Sequence, residues 1–291
     1  MSGRRERPPA PEPLPAPTVD AHTHLDACGC VDAADVAAVM DRAAAVGIGR
    51  AVTVADDLAS ARWVVRAAHW DDRVVAAVAL HPTRTAAVSE DEFTEIERLA
   101  GDPRVVAVGE TGLDYYWDHS PPVAQQESFR RHIDLAKRIG KPLMIHDRDA
   151  HDDVLRILRE EGPPASVVFH CFSGDAAMAR ECAEAGYVLS FAGPVTFRNA
   201  RALQEAAVVV PEDQLLVETD APFLTPHPHR GRANEPYCLP WTVRGLAALR
   251  GITDERLATS AGRNAERVFR LAELTPVAPS ATVGVDGTRS A

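Results

Sequence analysis

The chain has 291 residues, of which 46% are hydrophobic and 25% charged, a balance that supports a large buried core and excludes wholesale disorder. Its longest apolar runs, such as VVAAVAL at residues 74–80, fall far short of the ~18 residues a membrane-spanning helix requires. A net charge of -11 is opposite to the basic stripe of a protein that grips nucleic acid by general phosphate neutralisation, so a phosphate-bearing substrate must be held by local groups.

Six of the first seventeen residues are proline, and the arginines there precede prolines where a secretion signal needs an apolar stretch. Residues 1–17 therefore read as a disordered, polyproline-like leader that packs against nothing, and the chain as cytoplasmic. Residues 275–291, small and polar without periodicity, read as a disordered tail. Five irregularly spaced cysteines argue against a disulfide framework, and Cys28-Gly29-Cys30 lacks the second pair of a thiolate metal site.

Between the tails, residues 18–274 read as a single domain in which short apolar runs alternate with stretches of helical period. TVDAH at 18–22 precedes a helix over 35–45, RAVTVA at 50–55 one over 58–70, and RVVAAVAL at 73–80 one over 91–100. RVVAVGE at 104–110 precedes a helix over 125–139, KPLMIH at 141–146 one over 150–160, and SVVFH at 166–170 one over 176–185. YVLSFAG at 187–193 precedes a helix over 200–206, and QLLVETD at 214–220 ends the series. Fully apolar strands alternating with helices imply a parallel sheet covered by helices, and about eight such units close into an α/β (β/α)8 TIM barrel. An open, doubly wound sheet would carry G-x-G-x-x-G after the first strand, which this sequence lacks.

The strand ends carry the chemistry. In a parallel barrel all C-terminal strand ends open on one face, which would gather His22, His24, Glu110, His146, His170 and Asp220. Each alone is compatible with a hydrogen-bonded core residue or a helix cap. Burying all six together demands compensating charge, which a divalent cation supplies. Imidazole with carboxylate suits Zn, Mn, Fe or Co, and carboxylate with water also admits Mg. Six ligands exceed one tetrahedral ion, so two divalent metal ions sharing Glu110 are expected, with Asp220 holding one ion and accepting a proton from the attacking water.

The motifs DAHTHLD, LHP, GETGLDYY, PLMIHDRDA, VVFHCFSG, LVETDAPFLTP and RGRANEP together resemble the TatD family of metal-dependent deoxyribonucleases, within the amidohydrolase-like barrels, over residues 18–269. The resemblance implies one ion on His22, His24, Glu110 and Asp220, and a second on Glu110, His146 and His170. It implies hydrolysis of DNA phosphodiesters, with single-stranded or frayed 3′ ends as substrate, and no obligate protein partner. Arg148, Arg230, Arg232, His81, Tyr115, Tyr116 and Asn234 are candidates to touch that substrate from the mouth, the tyrosines by stacking on a base. Thr83, after His81-Pro82, stands where the family leads one to expect a histidine or an acidic residue. The competing reading is an amide, lactone or ester hydrolase using the same metals; Glu110, in place of a carboxylated lysine, favours phosphodiesters. A non-catalytic scaffold would have lost a ligand, and none is lost.

Overall fold

Every residue of the run VVAAV is buried, and it forms β3 (Val74–Val78), one of eight strands whose apolar side chains pack on both faces. A computed structural model describes residues 6–277; the rest of the two tails, where part of the disorder expectation falls, lies outside the described residues. The strands β1 (Thr18–Thr23), β2 (Ile48–Val54), β3, β4 (Val105–Asp114), β5 (Leu143–Arg148), β6 (Val167–Phe169), β7 (Val188–Phe191) and β8 (Leu215–Val217) pair in sequence order, all parallel. Helices α1 (Ala33–Ala44), α2 (Leu58–Ala68), α3 (Glu90–Ala100), α4 (Pro122–Ile139), α5 (His151–Glu161), α6 (Ala176–Glu184) and α7 (Arg201–Val209) connect them as crossovers. This is the nearly closed (β/α)8 barrel expected from the alternation.

Two further helices, α8 (Leu239–Arg250) and α9 (Asp254–Val268), follow β8 and were not part of the expected series. Asn264 on α9 donates to the carbonyls of Glu212 and Leu215 at the entry to β8. Ala265, Val268, Phe269 and Leu271 then join the apolar cluster that includes Val75, Val106, Met144, Val168, Val188 and Leu216. The second helix thus closes the end of the barrel where the strands begin.

The expectation that the leader packs against nothing is corrected for residues 6–17. Pro8, Pro11 and Leu14 are buried while their neighbours are largely exposed, the three-residue period of a polyproline helix lying on a surface. Its carbonyls find donors: Tyr237 Oη donates to Pro8 (2.7 Å), Arg244 to Glu12 and Pro13, and Ala233 N–H to Glu6. Leu14 N–H donates to the Val46 carbonyl (3.0 Å), and Arg7 pairs with the buried Glu235 (2.6 Å). Proline richness signalled an extended conformation, but sequence alone did not show the side chains that receive it.

Candidate metal centre

β1 meets the segment that follows β8 through one parallel bridge, Thr23–Ala221, and the seam sets the first ligands. His22 and His24 are two residues apart on an extended segment and so share a face. Asp220 N–H donates to the His22 carbonyl (3.0 Å), and His24 N–H to that of Ala221 (2.7 Å). Asp220 adopts the left-handed conformation (φ 50°), turning its carboxylate beside both imidazoles. Below it, buried Asp20 accepts from the Thr219 N–H (2.8 Å) and hydroxyl (2.5 Å), while burial pushes its carboxyl up to about 8.

The sequence Gly109-Glu110-Thr111-Gly112 has a steric reason. A Cβ on Gly112 (φ 135°) would lie 2.1 Å from the His146 carbonyl oxygen, and one on Gly109 would lie 2.5 Å from Met144 Cβ. Only glycine lets β4 lie this close to β5, where Gly112 pairs with His146 and the Glu110 carboxylate reaches the His146 ring.

His22 Nε2 and His24 Nε2 are 3.2 Å apart. Glu110 Oε1 lies 3.7 and 3.5 Å from these two nitrogens, and Asp220 Oδ1 lies at the same pair of distances. Donors placed about 2.1 Å from a shared tetrahedral ion are about 3.4 Å apart, so this set fits a cation. The other oxygen of Glu110 faces elsewhere: Oε2 is 3.2 Å from His146 Nδ1 and 2.7 Å from His170 Nε2, which are 3.2 Å from each other. Glu110 therefore offers one oxygen to each of two imidazole pairs.

The second nitrogens of His22, His24 and His146 each meet a hydrogen-bonding partner, which orients those rings, whereas the buried Nδ1 of His170 makes no hydrogen bond. His24 Nδ1–H donates to the Val54 carbonyl (3.0 Å) and His146 Nε2–H to Asp114 Oδ2 (3.0 Å). His22 Nδ1 meets Met144 Sδ at 3.2 Å, and His170 Nδ1 lies 3.4 Å from Glu218 Oε1. Glu218 is itself held by the Cys171 N–H (2.6 Å) and the Ser190 hydroxyl (2.5 Å). Burial works against ionisation of Glu110, but His170, His22 and His81 outweigh it and hold the carboxyl well below its ordinary range. Burial, reinforced by His170, drives His22 well down and keeps it neutral. Among the described residues the clusters able to hold a metal all draw on this mouth and contain no cysteine. Burial raises the thiols of Cys28 and Cys30, in keeping with incidental thiols.

Residues 19–270 match the family described as TatD related DNase. The chain belongs to the TatD family. It is 60% identical over 258 residues to the uncharacterized metal-dependent hydrolase TatD of Mycobacterium tuberculosis, covering 87% of this chain and 98% of that protein. It is 38% identical over 199 residues, 66% of this chain and 76% of the relative, to the 3′-5′ ssDNA/RNA exonuclease TatD of Erwinia billingiae. The crystal structure of YJJV, a TatD homolog from Escherichia coli, superimposes with a TM-score of 0.80 at 28% identity, covering 87% of this chain and 98% of that one. This TatD-family chain is thus a metal-dependent hydrolase.

Above the ligands lies a cavity of about 640 Å³ lined by His24, Glu110, His146, His170 and Asp220. Among the other predicted contacts, His81 and Arg148 line it. Thr83 N–H donates to His81 Nδ1 (3.1 Å) and burial pushes this imidazole down to about 3, so the neutral ring carries its proton on Nε2. Three predicted mouth residues are engaged elsewhere, which corrects their placement. Tyr115 Oη donates to Asp153 (2.7 Å), Arg232 faces Glu6 (3.6 Å), and buried Asn234 donates to the carbonyls of Thr219 and Phe223. Arg230 lies over the Phe197 ring (4.5 Å), and Tyr116 lies under the Arg148 guanidinium (3.9 Å). Sequence reasoning missed Asp56, Asp114, Trp117 and Phe223, although Asp114 and Phe223 stand inside the motifs GETGLDYY and LVETDAPFLTP.

Proposed function

We propose that this chain is a two-metal deoxyribonuclease that trims single-stranded or frayed 3′ ends. The observation that carries the reading is Glu110, whose two oxygens face two histidine pairs, an arrangement that suits a carboxylate shared by two ions. Divalent ions held there would neutralise phosphate charge and lower the pKa of water toward neutrality. Asp220, with Oδ1 turned to His22 and His24, takes the proton released as the water oxygen bonds to phosphorus, while the bond to the nucleoside oxygen breaks with its electron pair on that oxygen, which is protonated by solvent as the alcohol leaves. The Nε2–H of His81 and the guanidinium of Arg148 hold the non-bridging phosphate oxygens. Kinship with a relative named as a 3′-5′ exonuclease supports the substrate, and a concave mouth admits a strand end more readily than the middle of a stiff duplex.

The test strips the protein of metal, restores Mg, Mn or Zn, and offers a labelled single-stranded oligonucleotide, a simple phosphodiester and a lactone. Stepwise shortening from the 3′ end is expected. Turnover of the lactone alone would overturn the nuclease reading, and efficient nicking of closed circular DNA would overturn the end-trimming mechanism.

A further inference from the structure

Among the described residues the exposed large aromatics are Tyr116, Trp117 and Phe223, with 54%, 48% and 54% of their surface open to solvent. All three stand at or beside the one mouth. Trp117 lines the cavity with Arg84, His119 and Arg148, whereas Phe223 lines it with Leu224 and Pro194. The walls differ in chemistry: cation and aromatic on the β3–β5 side, and on the β7–β8 side the apolar Pro194, Phe223 and Leu224 beside the ligand Asp220.

Both walls are hung from the candidate ligands. Phe223 N–H donates to the carbonyl of Asp220 (2.9 Å), and its own carbonyl accepts from Asn234 Nδ2 (2.5 Å). Leu224 (φ 53°) presses its carbonyl against Gly193, where any Cβ would sit 1.9 Å from that oxygen. On the other side, the N–H groups of Tyr116 and Trp117 both donate to Asp114 Oδ1 at 3.0 Å, and Asp114 Oδ2 accepts from His146 Nε2. The Arg148 guanidinium lies 3.9 Å above the Tyr116 ring and 5.8 Å from that of Trp117. Aromatic surface left open to water and fixed in register with a phosphate-handling centre suits a planar, uncharged partner on either side of that centre.

We propose that Trp117 and Phe223 are specificity-determining stacking platforms that seat the nucleobases of single-stranded DNA on either side of the scissile phosphate, with Arg84 and Arg148 drawing in the adjoining backbone. The proposal rests on the nuclease reading. Asn234 and Asp114 are then positioning residues, acting through Phe223 and through the Tyr116–Trp117 wall. Because every base has a π face, such walls discriminate strand form and the presence of a base and tolerate any sequence.

The experiment measures KM for release of the 3′-terminal nucleotide by metal-loaded protein, using oligonucleotides that end either in a normal nucleotide or in a reduced abasic residue. The unsubstituted protein should favour the base-bearing end by about 5- to 150-fold, the range of one aromatic–base stack. Phe223→Ala should collapse that preference, and Phe223→Trp should retain it. Phe223 is half exposed, so its loss leaves no core cavity, and metal content measured on each variant reads out the centre separately. Equal base preference in the parent and in Phe223→Ala, or none in the parent, would overturn the walls alone. Failure to shorten any oligonucleotide while a lactone is hydrolysed would overturn the nuclease reading and the walls with it.

Discussion

Along β5, β6 and β8 the barrel interior changes character within two residues. Met144, Val168 and Leu216 are apolar and fully buried, and the next side chains on the same face are His146, His170 and Glu218. The lower layer joins Phe269 and Leu271 in a close-packed plug that stabilises the fold by burial. The upper layer holds ionisable groups that burial penalises, and it persists because each is paired with another or poised for a cation. One barrel thus divides its interior into a layer that supports the fold and a layer that performs the chemistry.

The largest expected effect is in the upper layer. Glu110→Gln should lower turnover by about 1,000-fold and deplete both ions, because both histidine pairs face its carboxylate. His170→Ala should cost less, since it serves one pair. Elemental analysis beside oligonucleotide turnover checks this, and near-normal activity in metal-saturated Glu110→Gln would break the contrast between the layers. In the lower layer Phe269→Ala should cost about 3 kcal/mol in unfolding free energy, measured by denaturant titration, with ion content retained.

The division also predicts a pH effect. In the metal-free centre burial lowers His24, but the Asp220 hydrogen bond and the charges of Glu110 and Asp56 overcome it and raise the ring to about 10. Burial likewise opposes His170, and Glu110 and Glu218 lift it well above its ordinary value. Both rings are then protonated at neutral pH without metal, and both must be neutral to bind it. Loading both ions should release about two protons, one at each site, and the affinity for each ion should tighten about 10-fold per pH unit near neutrality. Stability has the opposite sign in the metal-free protein. A folded-state pKa raised above the unfolded one contributes stability that is fully present below about pH 6.5 and is lost as pH rises toward 10. The thermal shift on adding metal should therefore grow with pH, and a shift that shrinks would refute the assignment.

Much of this was legible in the sequence because it is periodic. Eight apolar runs at regular intervals specify a parallel barrel, and a barrel brings His22, Glu110, His146, His170 and Asp220 to one face whatever the loops do. Direction within loops has no period, and there the reading went astray. Asn234 was assigned to substrate, but its amide turns inward to Thr219 and Phe223; Phe223, which faces the mouth, was passed over. The partners that orient His24 and His146, Val54 and Asp114, depend on which ring nitrogen faces which strand, and no linear spacing encodes that. The leader misled for a related reason: its prolines declared an extended chain, while the donors of Tyr237 and Arg244 lie more than 200 residues away.

The smallest expected effect separates two arginines that look alike in sequence. Arg148 lines the cavity, whereas Arg232 faces Glu6 outside it. Arg84 and Arg148 are the arginines that line the cavity among the described residues, in a chain of net charge -11, so few phosphates can be neutralised. Single-strand binding releases about 0.7 counterion per neutralised phosphate, which gives a slope of log affinity against log salt of about -1.4. Arg148→Ala should reduce that slope to about -0.7, weakening binding only several-fold at moderate salt, and Arg232→Ala should leave it where it was. Binding of a labelled single strand to Asp220→Asn protein across a salt series reads the slope without turnover, with metal occupancy measured in parallel. A steep slope, or equal losses at Arg148 and Arg232, would mean that the strand follows the outer surface and not the mouth.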